Sequence, residues 1–175
     1  VSYWPDKKDL VGRQVTAWLD QPVPTAAALA GQSVTLQGLS ALEFLLFDPH
    51  IDWAQPGAPA RLCPRVQVIA ERQQALAEEA LLSWRNEQGA GLRATLPNAR
   101  YATEKEALAE LLKANVSGLE MAHKKVASAL GVASGGKHPQ PYLAEYWRSG
   151  LSLASARAVL EGGRALWQAG LSAAV

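Results

Sequence analysis

Between Asp20 and Asp48 the chain carries a single charged side chain, Glu43, set in the apolar run Gly38-Leu39-Ser40-Ala41-Leu42-Glu43-Phe44-Leu45-Leu46-Phe47. A carboxylate on so apolar a helix needs a partner, because burying a charge without a counter-charge or hydrogen bonds is expensive. At about 100° per residue, Gln32, Ser33, Leu36, Ser40, Glu43 and Phe47 share one broad helical face, so Ser40 and Glu43 lie one turn apart and point together. Two chemistries suit such a strip: an acidic site for a cation or small ligand, or a carboxylate held by an arginine of a neighbouring helix. The block Glu145 to Ser152 concentrates carboxylate, indole, guanidinium and hydroxyls, including Arg148 and Ser149, and Arg157 follows it. Arg148 or Arg157 can pair with Glu43 through a planar, bidentate fork. Trp4, Asp6 and Arg13 complete the same polar pocket if the N-terminal segment folds over it. Glu43 is thus expected to be buried between helices, within hydrogen-bond reach of Arg13, Arg148 or Arg157.

Other reactive side chains are sparse. His50 and His138 neighbour prolines in expected loops, and His123 sits beside Lys124 and Lys125; all three are expected to be exposed and unliganded. Cys63 is the one cysteine, so no internal disulfide can form. Cys63 also has no activating base nearby in sequence and reads as a structural thiol. Glu78 and Glu79 read as an exposed pair rather than an acid/base couple. No H-E-x-x-H motif and no serine or cysteine triad is evident, so no catalytic residue is assigned.

The elements that would position these residues are helices. Ala (32) and Leu (25) far outnumber Val (12), Ile (2) and Thr (5) together, which predicts an all-α protein. With 17 basic and 16 acidic residues the net charge is +1, which gives no electrostatic case for nucleic acid or an anionic membrane. The apolar stretch Gln21 to Phe47 is broken by Pro22, Pro24 and several polar residues, so no membrane span is expected. The chain opens on Val1 without a signal-like start and is expected to be mature or trimmed.

Spacing predicts a helix over 7–19, and a long one over 26–47 capped by Thr25 and ended by Asp48-Pro49. Another is predicted over 64–88 with Pro64 in its first turn. A fourth, to Leu130, opens at the capping box Thr103-Glu104-Lys105-Glu106 and is stopped by Gly131. Residues 134–139 read as a Gly-rich loop, 142–148 as one or two helical turns, and Ser152 as the cap of a last helix to about Ala169. The Gly162-Gly163 pair predicts close approach of another backbone there. Trp84 and Trp167 are expected in the core. Together these helices predict antiparallel bundle packing.

Gly38-x-Ser40-x-x-Glu43 resembles the G-x-H-x-x-E signature of the imelysin-like family, with Ser40 where the family usually has His. Tyr3-Trp4-Pro5-Asp6-Lys7, Gly12-Arg13-Gln14 and Ala144-Glu145-Tyr146-Trp147-Arg148-Ser149-Gly150-Leu151-Ser152 are similar to blocks of its predicted-lipoprotein branch. The resemblance implies an imelysin-like helical region over 1–175, incomplete at both ends, with parts of two bundle halves and a sub-boundary near 48–62. It also implies export to the periplasm or outer-membrane periphery of a Gram-negative bacterium, a lipid anchor in a missing N-terminus, a link to iron uptake and an older peptidase label. A second cysteine in a longer chain would allow Cys63 to pair in an oxidising compartment. His and Glu three apart on a helix can share a metal, iron or another divalent ion. With Ser40 in the motif only Glu43 remains as a ligand from it.

Three functions follow as alternatives: a non-catalytic binding protein with its pocket at Glu43, a metallopeptidase using Glu43, or an interaction module in which Glu43 is structurally paired.

Overall fold

The computed structural model describes residues 2–132 and 135–171. Ser134, at the start of the expected Gly-rich loop, lies outside the described residues. Helices are the only regular elements among the described residues, as the composition predicts. They are α1 (Leu10–Trp18), α2 (Ala26–Leu29), α3 (Val34–Gln37), α4 (Leu39–Phe47), α5 (Ala58–Ser83), α6 (Gly89–Arg93), α7 (Glu104–Leu130) and α8 (Ser152–Leu166). The chain forms two compact units, Val1–Glu78 with Glu145–Leu151, and Glu79–Ala144 with Ser152–Val175. The Pro- and Gly-rich stretch at 48–62, a loop followed by the first turn of α5, lies inside the first.

In the first unit α1 packs on α3 and α4. Val11, Val15, Trp18, Leu29, Leu36, Ala41, Phe44, Leu45, Leu62 and Ile69 form one apolar core with Ala58 and Val68. Helix α1 starts later than the spacing suggests, because Asp9 holds a left-handed backbone (φ 49°) that cannot belong to a helix. Asp6 supplies the cap from outside: its two carboxylate oxygens accept the free N–H groups of Leu10 and Val11, each at 2.8 Å. The other end of α1 is held by Arg65. Its Nη2 donates to the carbonyls of Trp18, Leu19 and Gln21, and its guanidinium lies over the Trp18 ring at 5.4 Å. Burial, with the charge of Arg61 added, lowers the Arg65 pKa while Asp20 opposes the shift. The positive charge sits against carbonyls at the negative end of the helix dipole.

The single long helix expected over 26–47 is three short ones. The Gln37 side chain accounts for the break: its Nε2 donates to the carbonyls of Ala30 and Gln32, acceptors that a continuous helix would use internally. Ser33 caps α3 by accepting from Thr35 N, and Gly38 is extended (ψ 175°) before α4 begins. Thr25 caps α2 as expected, accepting from Ala28 N at 3.2 Å. Helix α5 begins at Ala58, six residues before Pro64, because the buried stripe Ala58, Leu62, Arg65, Ile69 already runs through that turn. It ends in a π turn, Trp84–Gln88, and α6 follows in the stretch between the helices expected over 64–88 and from Thr103.

In the second unit α7 packs on α8. Thr103 Oγ1 accepts from Glu106 N at 3.2 Å and Glu106 Oε2 accepts from Ala102 N at 2.8 Å, so the capping box forms with its return bond one residue early. Gly131 ends α7 in the left-handed region (φ 67°), where a Cβ would meet the His138 carbonyl at 2.4 Å. Of the glycine pair only Gly163 is crowded: a Cβ there would lie 2.7 Å from Asn115 Oδ1 on α7, whereas Gly162 has open space. Trp84 and Trp167, expected in the core, are exposed, because each falls in a π turn at the end of its helix.

Replacing Asp6 by Ala removes the acceptor for two helix N–H groups. We expect a loss of about 1–2 kcal/mol, the upper part of the range for a lost N-cap, read from urea denaturation.

Candidate functional site

Helix α4 and the segment Glu145–Leu151 build the site, both within the first unit. Gly38 sets the start of α4, placing Ser40 in its first turn and Glu43 in its second. Ser40 joins the helix to the N-terminal segment. Its Oγ accepts from Tyr3 N at 3.0 Å, donates to the Tyr3 carbonyl at 3.3 Å and lies 3.0 Å from Ser2 Oγ. Glu43 is buried, with 7% of its surface exposed. Its partner is not an arginine. Glu43 Oε1 accepts from Ser149 N at 2.9 Å and from Ser149 Oγ at 2.8 Å, while Oε2 takes no hydrogen bond from the described residues and is not sealed from solvent.

The expected arginines are engaged elsewhere. Arg148 Nε donates to Asp48 Oδ2 at 2.5 Å and its Nη2 lies 3.4 Å from Asp9 Oδ1. The guanidinium is stacked between the rings of Phe44, at 5.0 Å, and Trp147, at 4.5 Å. Both members of the main pair are withdrawn from water, Arg148 to 12% and Asp48 to 4% side-chain exposure. Arg13 is exposed and its Nε donates to the Asp9 carbonyl at 3.4 Å. Arg157 is exposed and pairs with Glu161 one turn along α8. Asp6 is spent on the α1 cap, and Trp4 is half-buried in the N-terminal segment. Of the predicted site residues, hydrogen bonds therefore join Glu43 to Ser149, whose chain neighbour is Arg148. Ser40 is tied instead to Ser2 and Tyr3.

Three participants escaped the sequence reading. Asp48 was read as a helix stop, yet its Oδ1 also accepts from His50 N at 3.0 Å and lies 2.8 Å from His50 Nδ1. His50 is exposed as expected, but its ring is held by that carboxylate. Burial pushes the Asp48 carboxyl up; the hydrogen bonds from Arg148 and from the His50 amide and ring, with the charge of Arg148, outweigh it and hold the group below its ordinary value. The second is Asp9, whose carboxylate lies 3.4 Å from Arg148 Nη2. A Cβ on Gly12 would lie 2.6 Å from its carboxylate, so the glycine makes room for that side chain. The third is Tyr146, at the left-handed φ of 60°. Burial raises its phenol pKa, the charges of Glu145 and Glu43 raise it further, and a hydrogen bond with Ser2 opposes them.

The donor set does not fit a resident metal. Ser40 Oγ is committed to Tyr3 and Ser2, and one Glu43 oxygen is committed to Ser149. Among the described residues no three His, Cys, Asp or Glu side chains come together as a ligand set.

The family profile described as Imelysin matches residues 1–175, the whole chain. The chain belongs to the imelysin family. No curated protein and no solved structure matches it. In this imelysin-family chain Glu43 sits on the second turn of a helix whose first turn is tied to the N-terminal segment. A distant segment, 145–151, covers it.

Removing Arg148 by an Ala substitution leaves Asp48 buried without its cation, and we expect a loss of about 3–5 kcal/mol. The double variant Arg148→Ala, Asp48→Asn should lose less than that single change. The pKa of Asp48 is depressed by folding, so its contribution is complete above the ordinary carboxylate range and lost as pH falls through the lower folded value. Asp48→Asn should flatten that acid limb, as followed by denaturation at stepped pH.

Proposed function

We propose that this imelysin-family protein is an exported, non-catalytic binding protein of the periplasm or outer-membrane periphery of a Gram-negative bacterium. It serves iron uptake by holding a small ligand at Glu43. Family membership supports the setting. Among the described residues no helix is long and apolar enough to cross a membrane. One observation carries the binding reading: the buried Glu43 carboxylate is fixed through one oxygen by Ser149, while its other oxygen takes no hydrogen bond from the described residues. Because that oxygen is not sealed from solvent, a donor group of a ligand can reach it without displacing a protein hydrogen bond. Non-catalysis is favoured by the Ser40 hydroxyl, one turn before Glu43, being tied to backbone, and by the His50 ring being held at Asp48.

The test is complementation. A strain deleted for this protein should grow poorly when iron is limiting. The wild-type chain should restore growth, and Glu43→Gln, accumulating to the same level, should not. Equal rescue by Glu43→Gln would overturn the role of Glu43. Stoichiometric zinc or iron bound by the purified wild-type chain and lost in Glu43→Gln would replace this reading with a metal site.

A further inference from the structure

The immediate surroundings of Glu43 constrain the charge of what it can bind. A buried carboxylate ordinarily recruits a cation. Here the nearest arginine in the chain of contacts, Arg148, is consumed by Asp48 and Asp9 and by the two rings that sandwich it. What Glu43 receives instead is the neutral N–H and O–H of Ser149, both on Oε1. Its negative charge is felt by its neighbour: burial does most to raise the Tyr146 phenol pKa, and the charges of Glu145 and Glu43 add to it. The Ser40 and Ser2 hydroxyls are hydrogen-bonded to each other, with Ser40 one helical turn before Glu43. Hydroxyls of this kind accept as readily as they donate.

We propose that the ligand of Glu43 is a small organic cation with N–H donors, of the ammonium class. This rests on the reading of Glu43 as a ligand site. An ammonium brings the two things Oε2 lacks, a donor and a positive charge, in one compact group. An anion would face an unneutralised carboxylate. A metal ion would find one carboxylate and hydroxyls already engaged in hydrogen bonds.

The experiment uses the whole chain and three probes of one size, propylammonium, propanol and propionate, at matched ionic strength. Binding is followed by saturation-transfer NMR and by thermal shift. Propylammonium should bind, with affinity falling about tenfold or more in Glu43→Gln, the loss expected for roughly 1.4 kcal/mol of a charged contact. Ser149→Ala removes one of the two donors on Oε1 and should tighten propylammonium binding, which a purely structural Ser149 would not do. That variant also keeps the test open if Glu43→Gln does not fold. Glu43-dependent binding of propanol or propionate in preference to propylammonium would overturn the ligand class while leaving Glu43 as a binding residue. Binding of none of the three would overturn both, and propylammonium binding unchanged in Glu43→Gln and in Ser149→Ala would place the cation elsewhere.

Discussion

The first unit depends on one guanidinium. Arg148 meets Asp48 in a setting where both are withdrawn from water, and the Phe44 and Trp147 rings cover the faces of the guanidinium. Such a pair is poorly screened and its partners cannot simply return to solvent, so it fixes geometry more than an exposed ion pair would. Because Arg148 and Ser149 are adjacent, anchoring the first places the second. Ser149 N and Oγ are then delivered to the same oxygen of Glu43. The turn that presents them is closed locally: Ser149 Oγ and Leu151 N both lie on the Tyr146 carbonyl. The diversion of Arg148 to Asp48 is thus what leaves Glu43 bonded to neutral donors.

Around this anchor the polar groups follow one pattern, in which side chains satisfy backbone that helices leave open. Asp6 takes N–H groups at the start of α1, and Arg65 gives protons to carbonyls at its end. Gln37 does the same between α2 and α3, and Gln73 Nε2 in turn donates to the Gln37 carbonyl at 2.6 Å. Short helices interrupted by polar side chains are less regular than one long rod, but they let α3 and α4 both reach α1. Tyr146 is held against local preference, since a non-glycine residue at φ 60° costs about 1–3 kcal/mol. A glycine there would relieve the backbone but remove the half-buried phenol.

What could be read from the residues was what depends on neighbours in sequence. The all-α class follows from composition, and the ends of α7 follow from Thr103, Glu106 and Gly131, whose caps are made within a few residues. The burial of Glu43 was also legible, because no other charge shares its apolar run. Its partner was not. Ser149 lies 106 residues away, and charge logic favours an arginine over a serine. The same logic mislaid Arg148, because Asp48, five residues past Glu43, looked like a helix stop rather than a competing carboxylate. The break of the helix over 26–47 was hidden for another reason: propensity sums treat Gln37 as a good helix former and do not register that its amide can capture carbonyls at 30 and 32. Pro64 misled through its preference for first turns, which the buried stripe from Ala58 onward overrides.

The position of the 145–151 segment in the chain also orders events in time. When residues 1–78 have emerged from the ribosome, α1 to α4 and most of the core they share are present, but Asp48 has no guanidinium and Glu43 has no donor. Both must wait for a stretch about a hundred residues later, and closing so long a loop is entropically slow compared with local helix pairing. The first unit is therefore discontinuous in synthesis, and its two buried carboxylates can be satisfied only after the helices of the second unit up to α7 have been made. Completion of the Glu43 site reports that synthesis has passed Leu151.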